Sequence, residues 1–357
     1  MQVLWLELRD FRNYATAELE LASDGLTVVH GDNGEGKTNL IEAIGWLATL
    51  ASFRGAPNEA LVRSGATAAV IRSEADRDGR RITLEAELPS TGAPTVLVNR
   101  QRLRRSRDLL GALRVSVFSP DDLALVKGGP SERRRLLDEA LVALHPRHAE
   151  TQSAVERVLR QRATLLRQAG GRLTPEIAST LDVWDAKLAE HGTALAGARR
   201  ELVSSLEPAV AKAYDQVAAA SDRVVLRYVS SWGDDLAAAL AAARADDIRR
   251  GVTTVGPHRD DLALSIAELP ARTHASQGEQ RSLALSLRLG VHTAVTEATE
   301  SPPVLLLDDV FSELDPERSA ALTAHLPAGQ AILTTAGPLP PGAAPAKTVR
   351  IIEGRIV

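Results

Sequence analysis

The sequence predicts an α/β fold with a mixed sheet, interrupted by an inserted all-helical lobe, and three observations carry that prediction. The octet Gly31-Asp32-Asn33-Gly34-Glu35-Gly36-Lys37-Thr38 matches G-x-x-x-x-G-K-[ST] and lies between an apolar run, Leu26-Thr27-Val28-Val29, and a helix-like stretch over residues 39–50. From about residue 130 to about residue 251 the apolar positions fall at helical spacing almost throughout. A second apolar run, Val304-Leu305-Leu306-Leu307, ends in Asp308-Asp309, the pattern of a fully buried strand with carboxylates at its C-terminal end. The α/β part is thus split in sequence: residues 1–128 and 252–357 flank a helical lobe over 129–251.

Each element follows from its local pattern. Residues 3–8, 15–21 and 26–29 read as strands leading into the glycine-rich octet and its helix. Short alternating segments recur at 68–75, 81–88 and 95–98, which predicts an antiparallel part, and Val115-Ser116-Val117-Phe118 reads as a strand ended by Ser119-Pro120. In the lobe, Val155, Val158, Leu159, Leu165 and Leu166 share a helical face, as do Leu181, Trp184 and Leu188, and later Leu202, Leu206 and Val210. Gly170-Gly171 with Pro175 marks one reversal and Ser230-Ser231-Trp232-Gly233 another. Beyond residue 251 a strand at 262–266, a long helix at 277–299, the acidic strand and a strand at 331–333 restore the α/β character.

Composition narrows the function classes. At 357 residues, 44% apolar and 25% charged, the chain is long enough and apolar enough to bury a core. The absence of cysteine excludes disulfides and thiolate metal sites. The N-terminus has no basic leader, and no stretch reaches the roughly 18 apolar residues of a membrane span, so a cytoplasmic location is expected. A net charge of −4 means that a nucleic-acid surface must be a local patch. Arginine outnumbers lysine 37 to five, an excess that base composition of the genome explains for most positions.

The octet has the chemistry of a phosphate-binding loop. Gly31, Gly34 and Gly36 free the backbone so that successive N–H groups converge on a di- or triphosphate at a helix N-terminus, Lys37 adds a mobile positive charge, and Thr38 offers a hydroxyl to Mg²⁺. A nucleoside triphosphate and Mg²⁺ are the expected cofactors. A second metal ligand is expected at the end of a neighbouring buried strand, which selects Asp308, and Asp309 stands where a general base would orient the attacking water. Ser276-Gln277-Gly278-Glu279-Gln280 opens the long helix and forms a second anion site at a helix N-terminus. One loop cannot use two such sites for one nucleotide, so a dimer is expected in which this helix faces the nucleotide of the other subunit.

The loop, the S-x-G-E-Q helix, the Asp-Asp strand and Ser312-Glu313-Leu314-Asp315, in that order, resemble the ATP-binding-cassette (ABC-type) heads of the SMC-like DNA-repair ATPases. The short helical insertion narrows the resemblance to the RecF family, as do residues 10–14, 119–123, 131–135 and 255–260. The resemblance makes Ser276, Gln277, Gly278 and Glu279 a signature acting across the dimer, and Ser312 with Asp315 the loop that meets the partner. It places Arg12 and Asn13 in a segment that contacts nucleotide in related heads, the alternative being a plain strand-end turn. It also implies that the nucleotide is ATP and that the chain is a weak, DNA-stimulated ATPase with Asp308, Asp309 and Lys37 in catalysis. In this reading the chain is a recombination mediator at single-strand gaps and single-/double-strand junctions, which works with RecR and RecO to load RecA in DNA repair and replication.

Three features depart from the wider cassette pattern. Asp309 replaces a glutamate, no glutamine lies between Val115 and Leu123, and no histidine follows the 331–333 strand at Thr334-Thr335-Ala336. His258 sits in a shared fragment without an assigned role. Arg100, Arg102, Arg104, Arg105 and Arg107 crowd a nine-residue stretch without an acid, which reads as a DNA-backbone footprint or as a solvated turn. For Arg133-Arg134-Arg135 the alternatives are DNA contact and internal ion pairing. Other classes remain open at this level: a transporter's ATPase subunit, which needs a membrane partner, and a nucleotide-gated DNA clamp with negligible turnover.

Overall fold

The structure is a computed structural model that describes residues 1–218, 222–340 and 342–357. By contact density the chain forms two compact units. The first comprises Met1–Leu123, Pro208–Asp222 and Ser276–Val357, the second Ala124–Glu207 and Arg223–Ala275.

The first unit begins with β1 (Gln2–Phe11), β2 (Tyr14–Glu20), β3 (Gly25–His30), α1 (Lys37–Thr49), β4 (Ala68–Arg77), β5 (Arg80–Pro89), β6 (Thr95–Val98), β7 (Gln101–Arg102) and β8 (Val115–Phe118). Six of these strands form an antiparallel sheet in the order β2-β1-β4-β5-β6-β7. Alternation sets its faces: Ala69, Ile71, Ser73 and Ala75 of β4 are buried while their neighbours are half-exposed. The β4–β5 turn, Asp78-Gly79, has positive φ at both residues (55° and 80°), the geometry whose twist matches a two-residue hairpin.

The second unit carries α2 (Ala124–Lys127), α3 (Pro130–Leu144), α4 (His148–Ala169), most of α5 (Pro175–Ala218), β9 (Val224–Val229), α6 (Leu236–Arg250), β10 (Asp261–Ile266), β11 (Leu269–Pro270) and α7 (Ala271–His274). The Gly170-Gly171 reversal joins α4 to α5 with φ of 55° and 82°. This unit is mainly helical, but the expectation of helix alone needs correction, because β9 pairs with β10 in a three-stranded antiparallel sheet, β11-β10-β9. A six-residue segment, here interrupted by Arg227, is too short to reveal its period, and its partner strand lies beyond the whole of α6. The expected boundaries shift for the same reason. Strand 262–266, placed with the first unit from sequence, belongs to the second. The last part of α5 returns to the first unit at Pro208, an internal proline that forfeits a helix hydrogen bond.

Buried ion pairs tie the second unit together. Arg162, fully buried, donates to Asp185 and Asp247 at 2.7 Å each and to Thr253 at 2.9 Å. Arg133 grips both carboxylate oxygens of Asp261 at 2.7 and 2.9 Å, Arg134 donates to the Asp260 carbonyl, and Arg135 pairs with Glu132. The 131–135 and 255–260 fragments therefore lock onto each other, and the arginine triplet is engaged internally.

The first unit resumes with α8 (Gln277–Thr299), β12 (Val304–Asp308), α9 (Pro316–Ala324), β13 (Gln330–Thr335), β14 (Pro345–Ile352) and β15 (Arg355–Ile356). They complete a second six-stranded sheet, β15-β14-β3-β13-β12-β8, parallel except at β15. Every residue of β12 is buried, as both faces of a parallel sheet require. Val304 and Leu306 join α1 and the antiparallel sheet in one core, and Leu305 and Leu307 join Leu285 and Leu289 of α8 in another. The octet lies between the C-terminal end of β3 and α1, and the acids end β12 two strands away. β14 was not apparent from sequence, since its proline start and mixed polarity carry no clear period.

Candidate functional site

The loop of residues 31–38 is packed so tightly that two of its glycines cannot be replaced. A Cβ on Gly36 (φ 109°) would lie 2.5 Å from Asn13 and 2.9 Å from the Tyr14 hydroxyl, and one on Gly31 would lie 2.5 Å from the Ile351 carbonyl oxygen. Gly34 has a φ of 88°, left-handed backbone that glycine adopts without strain. Lys37 Nζ donates to the carbonyls of Gly31 at 2.9 Å and Asp32 at 2.8 Å, which keeps its ammonium over the loop. The loop thus presents backbone N–H groups and one cation at the N-terminus of α1, a cradle for phosphate oxygens.

Thr38 Oγ1 donates to Asp308 Oδ1 at 2.7 Å, joining residues 270 positions apart. Thr334 Oγ1 donates to the same oxygen at 2.7 Å, because β12 and β13 run in parallel register with Asp308 opposite Thr334. Burial raises the Asp308 pKa, and the two hydroxyls pull it back towards ionisation. A hydroxyl and a carboxylate are hard oxygen donors, and the pair Thr38 and Asp308 fits Mg²⁺. Asp309 leaves β12 in left-handed conformation (φ 47°) with its N–H bound to the Thr334 carbonyl. Among the described residues its Oδ1 has no hydrogen-bond partner, although it is buried.

Arg12 and Asn13 divide. Arg12 is committed to Glu42, a fully buried carboxylate on α1, through two hydrogen bonds of 2.8 and 2.7 Å. It holds the turn against α1, in keeping with the strand-end alternative. Asn13 reaches the loop itself, donating to the Glu35 carbonyl at 2.9 Å and accepting from Asn39 at 2.8 Å. Sequence reasoning missed Thr334, Glu42 and Arg54. The exposed Arg54 donates to Asn39 and acts electrostatically on Asp308. A lone arginine after a helix carries no sequence signal, whereas a threonine pair ending a buried strand beside an acidic one does.

Ser276 caps α8 in a reciprocal box: its hydroxyl accepts from the Glu279 N–H at 3.3 Å, and Glu279 accepts from the Ser276 N–H at 2.6 Å; hydrogen bonding with the Ser276 side chain first, and with its backbone second, lowers the Glu279 pKa. The Glu279 N–H is therefore engaged, and Gln277 and Gly278 head the helix. Gly278 lies against the Arg318 guanidinium, which a Cβ would approach to 2.8 Å. Arg318 pairs with Asp315, the N-cap of α9, and Arg281 pairs with Glu313 at 3.3 Å, so the signature and residues 312–315 form one block. Ser312 Oγ donates to the Asp309 carbonyl at 2.8 Å, which links that block to the acids. Among the described residues, none of Ser276, Gln277, Gly278 and Glu279 hydrogen-bonds the loop of residues 31–38.

Arg100, Arg102, Arg104 and Arg105 are exposed around the β6–β7 hairpin, where Asn99 and Arg100 take positive φ, and Arg107 is half-buried. His258 is a structural side chain of the second unit: its Nε2 contacts the Thr253 carbonyl at 3.1 Å, and burial lowers its pKa. The last two residues of β13, Thr334 and Thr335, supply hydroxyls instead of an imidazole, with Thr335 Oγ1 bonded to Gly337.

The family model of the RecF/RecN/SMC N-terminal domain matches residues 2–335. The chain is 46% identical over 352 residues to the DNA replication and repair protein RecF of Streptomyces avermitilis, covering 94% of this chain and 93% of that protein. It superposes with a TM-score of 0.92 and 27% identity on the recombination mediator protein RecF-ATP in the RecFOR pathway, over 100% of this chain and 97% of that one. A Smc head bound to the C-terminal winged-helix domain of ScpA, 15% identical with a TM-score of 0.59 over 100% of this chain and 97% of that one, shares the fold. With an ABC-type ATPase head, a phosphate loop and Asp308 in hydrogen-bond contact, and relatives matched over nearly their full length, the chain belongs to the RecF family.

Proposed function

We propose that this chain is an ATP-dependent DNA-binding recombination mediator of DNA repair and replication, and a slow, DNA-stimulated ATPase. The observation that carries the reading is the 2.7 Å hydrogen bond from Thr38 to Asp308, which assembles a hydroxyl and a carboxylate beside the phosphate loop. The backbone of residues 31–38 and Lys37 hold the triphosphate, and Thr38 and Asp308 hold Mg²⁺. The metal, when bound, neutralises charge on the phosphate oxygens. Asp309, the next residue, accepts a proton from the attacking water. Its carboxylate is one methylene shorter than glutamate, in keeping with slow turnover.

The signature completes the site from a second copy. Residues 276–279 cap their own helix and present its N-terminus outward, with Ser312 and Asp315 in the same block. Dimer closure then requires ATP, and the closed pair holds DNA through backbone contacts that include Arg100, Arg102, Arg104, Arg105 and Arg107 on each copy. The sites of action are single-strand gaps and single-/double-strand junctions in the cytoplasm, with RecR and RecO as partners in loading RecA. No described helix is long and apolar enough to cross a membrane, and the relatives are repair proteins, so no observation favours a transporter subunit.

Sedimentation with ATP, ADP or no nucleotide, with and without gapped duplex, tests closure. A dimer is expected with ATP alone, and a monomer under every condition would sink the trans signature. Phosphate release tests the chemistry. Asp308→Asn is expected to slow it on the order of 10- to 100-fold, and equal turnover in the two chains would leave a clamp without useful hydrolysis.

A further inference from the structure

The β14–β15 hairpin lies outside the region matched by the family model, and none of the functional roles above involves it. We propose that this hairpin is a positioning element of the phosphate loop, acting through Glu35. Three contacts converge on the loop from that side. The Glu353 N–H donates to the Glu35 carboxylate. The Ile351 carbonyl oxygen lies so close to Gly31 that a Cβ there would come within 2.5 Å of it. Gly354 packs against Asn13, where a Cβ would meet Nδ2 at 3.1 Å, and Asn13 in turn donates to the Glu35 carbonyl at 2.9 Å.

The hairpin is built to hold this position. Its two-residue turn, Glu353-Gly354, has positive φ at both residues (48° and 69°), which fixes where the Glu353 N–H points. β14 is in parallel register with β3, with Val349 opposite Val29 and Arg350 opposite His30, so the turn is carried past the start of the loop. On the other strand, Ile356 packs on the core cluster of the antiparallel sheet. Tyr14 closes the opposite flank, its hydroxyl donating to the Gly36 carbonyl at 3.1 Å. Glu35 and Gly36 are thus gripped by the β1–β2 turn and the β14–β15 turn together. A loop whose N–H groups must converge on one anion loses affinity when its backbone is free to wander.

The proposal deepens the ATP-binding role and rests on it for one of its two readouts. Hydrogen–deuterium exchange without nucleotide reports the loop's rigidity whatever the loop binds, and a fluorescent ATP analogue reports affinity. Gly354→Val, which adds strain at positive φ and presses on Asn13, is expected to speed exchange in the peptide spanning residues 31–40 while leaving β4 and β5 unchanged. Glu35→Ala is expected to do the same through the other partner. Both should weaken ATP binding about three- to tenfold, the worth of a lost positioning hydrogen bond, with Glu35→Gln restoring most of it. Exchange that rises equally across the sheet, or is unchanged over residues 31–40 in Glu35→Ala, would overturn the positioning role. Faster loop exchange with no ATP binding even in the unaltered chain would instead overturn the ATP-binding role alone.

Discussion

Two neighbouring carboxylates end β12 in different circumstances. Asp308 continues the strand, is buried, and accepts from two threonines, whereas Asp309 turns to positive φ and leaves one oxygen without a partner. The first arrangement suits a ligand that must not move and the second a group that exchanges protons. Because burial raises the Asp308 pKa, a proton would compete with the Mg²⁺ proposed there at a higher pH than at an ordinary aspartate. Mg²⁺-dependent nucleotide binding should therefore weaken, as pH falls, before ordinary carboxylates titrate. A pH series of nucleotide affinity with and without Mg²⁺ checks this. His292 gives a second pH dependence, of stability. It is buried against Ser116, and burial lowers its pKa from 6.5 to about 4. Above about pH 6.5 folded and unfolded chains both carry neutral imidazole. As pH falls towards 4 only the unfolded chain takes up the proton, so stability is lost across that window, by at most roughly 3 kcal/mol. Urea unfolding at stepped pH should show the loss, and His292→Gln should flatten it.

At the scale of elements, α8 is both the signature helix and a core helix. Leu285 and Leu289 fill one face of the parallel sheet, and Gly290 lets α5 pass so closely that a Cβ would lie 2.5 Å from Val210 Cγ2 and 3.2 Å from its backbone nitrogen. Gly290→Leu should cost about 1–3 kcal/mol in urea unfolding through overpacking. The cap at Ser276 is by contrast exposed and free of the core. Most of these elements were legible from pattern alone. β12 is a continuous apolar run bounded by acids, and α8 starts at the residue where Ser276 and Glu279 form a capping box. β9 and β14 were not legible, because β9 pairs with β10 beyond the whole of α6 and β14 with β3 from the far end of the chain, and neither pairing leaves a local signal.

At the scale of the molecule, a net charge of −4 means that the proposed DNA binding would fall to local arginines, and the β6–β7 hairpin concentrates five of them in and around it. Replacing Arg100, Arg104 and Arg105 with alanine should weaken DNA binding most at low salt. It should also flatten the slope of log affinity against log salt by up to about three if each neutralises one phosphate. Titrations at several salt concentrations would show this, and an unchanged slope would place the footprint elsewhere. Composition and motif order determined the ATPase class, the loop and its acidic partner, because glycine spacing, a lysine and a buried acidic strand are requirements of local backbone and charge chemistry. Only the tertiary structure decided that Arg12 braces Glu42 while Asn13 reaches the loop, that the arginine triplet is engaged internally, and that the β14–β15 hairpin grips Glu35. Each of those outcomes depends on which distant segment arrives within hydrogen-bond reach, and through-space proximity of that kind leaves no period or spacing in the chain.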